Sequence, residues 1–248
     1  SKRMTLTRKG QELYKHAARL FEVSDEIERY VKELESVGEV NLRIGVSDEV
    51  ERPFIADVVG SLAKSNQGKK LSISIISNSH EEISKRVFNH ELDVVISNRE
   101  IRSGLHLVAK IEIPVLLVAA SASPEGGMIS SSPEKIFSSL EVDLIMADED
   151  LTLGKETKKF LKSVRLSKRV AITSNILSCL VRLVQENVGA AFLPVAYVSK
   201  ELQKGSLRAY GPRPGYWNHS IYIYTPKMGS KDLALSLVKI IQDLTVMR

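Results

Sequence analysis

The first limits on this 248-residue chain come from what it lacks. It has a single cysteine, Cys179, so no internal disulfide can form, which fits a reducing cytosol. That residue lies in the apolar run Ile176-Leu177-Ser178-Cys179-Leu180 and reads as a buried structural thiol rather than a nucleophile. Ser1 to Thr7 hold no apolar core of signal-peptide length, and no window reaches the length of a membrane span. The expectation is a cytoplasmic protein without membrane contact. No Lys/Arg cluster is long enough to serve alone as a nucleic-acid patch. The formal charge of +5 is modest, and residues 1–40 balance eight Lys/Arg against eight Asp/Glu, so the excess reads as a solvated basic surface. G-x-S-x-G, H-E-x-x-H and Walker patterns are all missing, so nothing argues for an enzyme. No His or Cys lies at ligand spacing from His80, so neither a metal nor a cofactor is expected.

What is present is an alternation of strands and helices. Asn89 to Asn98 read as a helix end, a tight turn and then a strand of consecutive apolar residues. Such a run suits a central strand of a parallel sheet, covered on both faces. Asp93 starts it, while Ser97 and Asn98 stand at its carboxyl end, where open α/β sheets bind ligands.

Residues 1–38 differ in kind from the rest. Leu13, Ala17, Leu20, Ser24, Ile27, Val31 and Leu34 recur at spacings of four and three, a heptad seam flanked by charges and stopped at Gly38. One long charged helix has little core of its own to join, so self-association is favoured over packing on its own domain.

From Asn41 the pattern predicts a strand over Leu42–Val46 and a helix from Pro53 to about Lys64. Leu71–Ile76 alternate as an edge strand does, and Ser79 with Glu82 forms an S-x-x-E capping box. Leu105 to Ala120, broken by Pro114, is too long for one ordinary strand and reads as two strands or a crossover between lobes. Ser121 to Ser132 reads as loop. A second set follows: a strand over 142–147, a helix near 154–163, a strand over 169–172, a helix from Ser174 to about Glu186, and a short strand over 189–194. Tyr210 to Gly215 is linker-like, Ser220–Tyr224 is a strand, and Leu233 to Met247 is a closing helix. Repeated strand–helix units imply right-handed crossovers and a parallel sheet.

Leu42-Arg43-Ile44-Gly45, Glu91-Leu92-Asp93-Val94-Val95-Ile96 and Val188-Gly189-Ala190-Ala191-Phe192-Leu193-Pro194, in this order and spacing, resemble the effector domain of LysR-type transcriptional regulators. Leu6-Thr7-Arg8-Lys9-Gly10 resembles the end of that family's winged helix-turn-helix, and the heptad stretch its linker helix. Within the family, Val46-Ser47-Asp48, Ser77 to Glu81 and His90 to Ser97 look most like the regulators of sodium/proton antiporters. The resemblance implies an α/β, type 2 periplasmic-binding-protein-like fold, with two α/β lobes joined by two crossover strands and preceded by a linker helix. Lobe I would take residues 39–118 and 217–248, and lobe II residues 119–216. It implies a cytoplasmic activator of transcription that is a homodimer or tetramer. It would bind a small-molecule or ion effector between the lobes, and touch DNA only through an N-terminal domain preceding Ser1. A stand-alone small-molecule binding protein and a two-lobed metabolic enzyme are the alternatives. Asn187 departs from the family, standing where a glycine is expected.

The effector-binding candidates are polar residues at strand ends and helix starts: Ser47, Asp48, Ser77, Ser79, His80, Ser97, Asn98, Asp148, Thr173 and Ser174. The family resemblance implies a small organic anion as effector, held near Ser47, Ser97 and Ser174 by hydroxyls and by helix-start N–H groups, which favour anions, ahead of a sodium ion at Asp48. For each hydroxyl, plain helix capping is the competing role. Asp48 and Glu49 also read as a solvated acidic turn. Leu13, Ala17, Leu20, Ile27, Val31 and Leu34 are the dimerisation candidates.

Overall fold

The computed structural model describes residues 7–35, 39–68, 70–89, 91–101, 105–121, 132–226 and 231–245. A long helix, α1 (Arg8–Glu35), comes first. Two strand–helix units follow: β1 (Glu39–Ser47), α2 (Arg52–Ser65), β2 (Lys70–Asn78) and α3 (His80–Phe88), then β3 (Val94–Ser97). After β4 (His106–Ala120) come α4 (Pro133–Leu140), β5 (Leu144–Ala147), α5 (Thr152–Ser163), β6 (Val170–Ser174) and α6 (Leu177–Gln185). The chain closes with β7 (Ala191–Pro194), a 3-10 turn at Val195–Val198, α7 (Ser199–Gln203), β8 (Leu207–Tyr210), β9 (Trp217–Thr225) and α8 (Lys231–Thr245).

These elements form two α/β lobes. One sheet runs β2-β1-β3-β9-β4-β7, with β8 also on β4, and a second pairs β5 with β6. β1 is parallel to β2 and β3, whereas β9 is antiparallel to both β3 and β4. Over its first part β4 pairs only with β9, and over Val115–Ala120 it gains β7 and β8. The apolar run 105–120 is therefore a single strand that crosses between the lobes. Pro114 is tolerated inside it, opposite Asn218.

The first lobe is layered by strand alternation. Leu42, Ile44 and Val46 face the buried Phe54, Val58 and Leu62 of α2 and Leu237 and Ile241 of α8. The other face packs Val95 against Ile83 and Val87 of α3, with Leu92 and Tyr224. Gly45 lies on that second face, where an added Cβ would fall 2.5 Å from Leu92 Cδ1. In the middle of β1, Asp93 holds Arg43 by its backbone N (2.8 Å), Nε (3.1 Å) and a terminal nitrogen (2.8 Å). In the second lobe the rings of Phe137, Phe160, Phe192 and Tyr216 pack together, and Trp217 at the start of β9 joins them 4.9 Å from Phe160.

Several expectations meet the fold directly. β2 is an edge strand, and Ser79 caps α3 by accepting from Glu82 N at 3.3 Å. Asn187, the departure from the family pattern, has φ 57° and so takes the left-handed conformation itself, which asparagine tolerates better than most residues. Others are corrected. Thr173 and Ser174 do not open a helix, because β6 runs through them and α6 starts at Leu177. Cys179 is exposed rather than buried: α6 is amphipathic and turns Leu177, Leu180, Val181 and Val184 inward instead. α4 and β8 are not foreseen by the sequence pattern. The Gly38 stop, residues 122–131 of the expected loop and the end of the closing helix after Thr245 lie outside the described residues.

The seam of α1 is open to solvent where it is described. Leu13, Leu20 and Ile27 are 70%, 69% and 59% exposed, while Ala17 is half-buried. The side chains of Val31 and Leu34 lie outside the described residues.

Candidate functional site

The turns after β1, after β3 and after β5 meet. Ser47, Glu49 and Asn98 are all buried at this meeting point. Glu49 Oε2 accepts from Asn98 Nδ2 at 3.0 Å and from the backbone N–H of Thr152, the first residue of α5, at 2.8 Å. Arg99 forms an ion pair with the other Glu49 oxygen. The same guanidinium donates to Thr152 Oγ1 (3.2 Å) and to the Asp150 carbonyl (3.1 Å). Burial pushes the Glu49 carboxyl upward in pKa. The Thr152 and Asn98 donors and the Arg99 charge outweigh it, so the group ends below the usual glutamate range. Two residues at the end of the first lobe's strands thus grip the start of a helix in the second.

Gly154 makes this approach possible. An added Cβ would fall 1.9 Å from the Asp148 carbonyl oxygen, so the 148–152 turn can lie on α5 only above a glycine. Asp148 shapes the turn itself, accepting Asp150 N at 2.9 Å on its side chain and Leu151 N at 3.0 Å on its backbone.

Behind this junction lies a second polar group. Glu51 is buried and caps α2, accepting Phe54 N on Oε2 at 2.6 Å. Burial raises its pKa to about 7 against that hydrogen bond, and the charges of Glu201 and Asp57 add to the rise. Tyr197, after β7, is buried with its ring 5.2 Å from Phe54 and 5.8 Å from His219. Burial, then the charges of Glu51, Glu156 and Glu49, drive the Tyr197 hydroxyl well above its ordinary pKa. His219, on the crossover strand β9, has Nδ1 2.8 Å from Glu156 Oε2, which Trp217 Nε1 also reaches at 3.2 Å. Glu51 Oε1, the Tyr197 hydroxyl and His219 Nε2 are buried without a hydrogen-bond partner.

The ten sequence candidates divide. Ser47 lies against Asn98, Oγ to Oδ1 at 3.5 Å. Ser97 Oγ accepts Arg99 N at 3.1 Å and sits 3.3 Å from His80 Nδ1. With Asp148 these residues surround the junction. Asp48, Ser77, Ser79 and Thr173 are exposed, and Ser79 only caps its helix. Ser174 accepts Ile176 N at 3.0 Å, closing the turn before α6. The expectation of vacant helix starts fails at α2 and α5, because Glu51 already accepts Phe54 N in the first turn of α2 and Glu49 accepts Thr152 N at the start of α5. Glu49 is therefore not a solvated turn residue.

Sequence reasoning missed Arg99, Thr152, Glu51, Glu156, Tyr197 and His219. Their partners lie far along the chain, and no spacing rule announces them. Among the described residues, no group of three or more His, Cys, Asp and Glu is arranged to hold a metal ion, and no helix is long and apolar enough to cross a membrane.

The family model described as LysR substrate binding domain matches residues 39–243. A protein of Emiliania huxleyi named as a probable RuBisCO transcriptional regulator is 25% identical over 209 residues, covering 82% of this chain and 65% of its own length. Among solved structures, the LysR family transcriptional regulator HinK of Pseudomonas aeruginosa superposes with a TM-score of 0.62 at 13% identity, over 97% of this chain and 83% of that one. The effector binding domain of QuiR, solved with shikimate, gives a TM-score of 0.56 at 12% identity, over 84% of this chain and 97% of that one. The chain spans about 65% of the length of the curated relative it matches. The narrower resemblance to sodium/proton antiporter regulators receives no support from these relatives.

Proposed function

The chain belongs to the LysR substrate-binding-domain family, and from that premise we propose that it is the effector-sensing part of a cytoplasmic LysR-type transcriptional activator. A small effector enters between the lobes and shifts the balance between two lobe arrangements. The linker helix α1 passes that shift to DNA-binding domains carried by a longer chain, in a homodimer or tetramer. Lobe I is assigned residues 39–118 and 217–248, lobe II residues 119–216, and the linker residues 1–38. The effector site is assigned to Ser47, His80, Ser97, Asn98 and Asp148, with Glu49, Arg99 and Thr152 added.

The observation that carries this reading is the Glu49–Arg99–Thr152 junction. It exists only while the lobes meet, so it defines one discrete state whose population a ligand can bias. The exposed apolar seam on α1 supports assembly through that helix.

The test is a metabolite library read by thermal shift and by product analysis. A saturating stabiliser that is returned unchanged is the expected result. A compound that is turned over replaces sensing with catalysis, and no stabilising compound of any class removes the sensing reading.

A further inference from the structure

We propose that the junction behind Glu49 is a seat for a primary ammonium group, held by Glu51, Tyr197 and His219, and therefore that the effector carries an amine. The inference rests on the effector-sensing reading and supplies the ligand class for it. It also departs from the organic anion favoured by family resemblance. Two of the helix starts that would attract an anion already hold a carboxylate, Glu49 at α5 and Glu51 at α2.

What the junction leaves open is acceptor capacity. In the neutral imidazole, the Glu156 carboxylate oxygen at 2.8 Å holds the His219 proton on Nδ1 and leaves a lone pair at Nε2. Glu51 spends Oε2 on Phe54 N and leaves Oε1 without a partner. The Tyr197 hydroxyl, whose ring lies 5.8 Å from that of His219 and which feels the Glu51 charge, has no partner either. All three side chains are at least nine-tenths buried: 2% exposed for Glu51, 3% for Tyr197 and none for His219. Buried polar atoms are almost always paired, and three unpaired ones on Tyr197, on the neighbouring His219 and on the cap of the helix that carries Phe54 mark a place where a partner belongs.

A primary ammonium offers three donors, one for each of the three atoms. It also brings the charge that the site lacks. Glu49, Glu51 and Glu156 all act on the Tyr197 hydroxyl, while Arg99 is committed to Glu49 and Lys200 to Asp57.

The experiment titrates the 248-residue chain with ammonium, methylammonium, ethanolamine and tetramethylammonium at constant ionic strength set by potassium chloride, read by thermal shift and calorimetry. Amines bearing N–H groups are expected to stabilise saturably, and tetramethylammonium, which has the charge without the donors, is not. Glu51→Gln is expected to weaken amine binding by about tenfold or more, the worth of a hydrogen bond to a charged group. Tyr197→Phe keeps the ring packing and is expected to fold normally while losing several-fold in affinity. Equal stabilisation by tetramethylammonium, no saturable response to any amine, or unchanged binding in both variants overturns the proposal. A library compound without an amine that binds wild type and Glu51→Gln equally also overturns it, while leaving effector sensing intact.

Discussion

Glu49 and Thr152 lie 103 residues apart in sequence and 2.8 Å apart in space, carboxylate oxygen to backbone nitrogen. This contact ties the turn after β1 to the start of α5, and Arg99 locks it from the side. Arg99→Ala is expected to cost about 1.5–3 kcal/mol in urea unfolding, because it strips the counter-charge from a buried carboxylate. It should also raise hydrogen exchange at 148–153 selectively. Glu49→Gln is expected to flatten the acid limb of stability. The folded pKa of Glu49 is depressed, so its contribution is present above the ordinary glutamate pKa and lost as pH falls through the folded value.

Glu51 works in the opposite sense. Its folded pKa of about 7 lies above the ordinary 4.5, so the folded chain keeps a proton that the unfolded chain releases. The stability this group supplies is full below the ordinary value and drains away as pH rises through the folded one. Glu51→Gln should remove that slope. Relative to the variant, wild type is expected to lose up to about 3 kcal/mol between the two ends of this window, measured by denaturant unfolding across pH.

Gly154→Ala drives a Cβ into the Asp148 carbonyl. Unlike a core methyl that neighbours can accommodate, this one meets backbone. A loss of about 1–3 kcal/mol is expected, with a lowered Tm and loss of the Glu49–Thr152 contact in a crystal structure of the variant.

Cys179 is exposed on α6. Ellman's reagent should therefore label the native chain to one equivalent without denaturant. Labelling that appears only on unfolding would contradict the outward placement.

Leu20→Asp with Ile27→Asp puts two charges into the open seam of α1, where partner helices would bury them. Sedimentation should show weaker self-association, with the folded domain's Tm unchanged.

Much of the scaffold was legible because it rests on short-range rules. The Ser79 cap needs only Glu82, and the edge character of β2 shows in its alternation. The β6–α6 boundary was misplaced because Ser174 has the chemistry of a helix cap but spends it on a turn to Ile176. The exposure of Cys179 follows from helical phase, which an apolar stretch of five residues does not fix. The junction was least legible. Glu49 in Ser47-Asp48-Glu49 looks like any acidic turn residue, and its partners come from positions 98, 99 and 152.

The path of β9 has a consequence for how the molecule is made. β9 lies between β3 and β4, hydrogen-bonded to both. Leaving the ribosome in order, β1, β2, β3 and β4 all emerge before the strand that joins them. The first lobe therefore waits, with the apolar edge of β3 uncovered, until Trp217–Thr225 has been synthesised. The second lobe's β5, α5, β6 and α6 are complete by then. The half of the protein that begins first is the half that finishes last, and a nascent chain stalled before residue 217 would present β3 to whatever strand comes near.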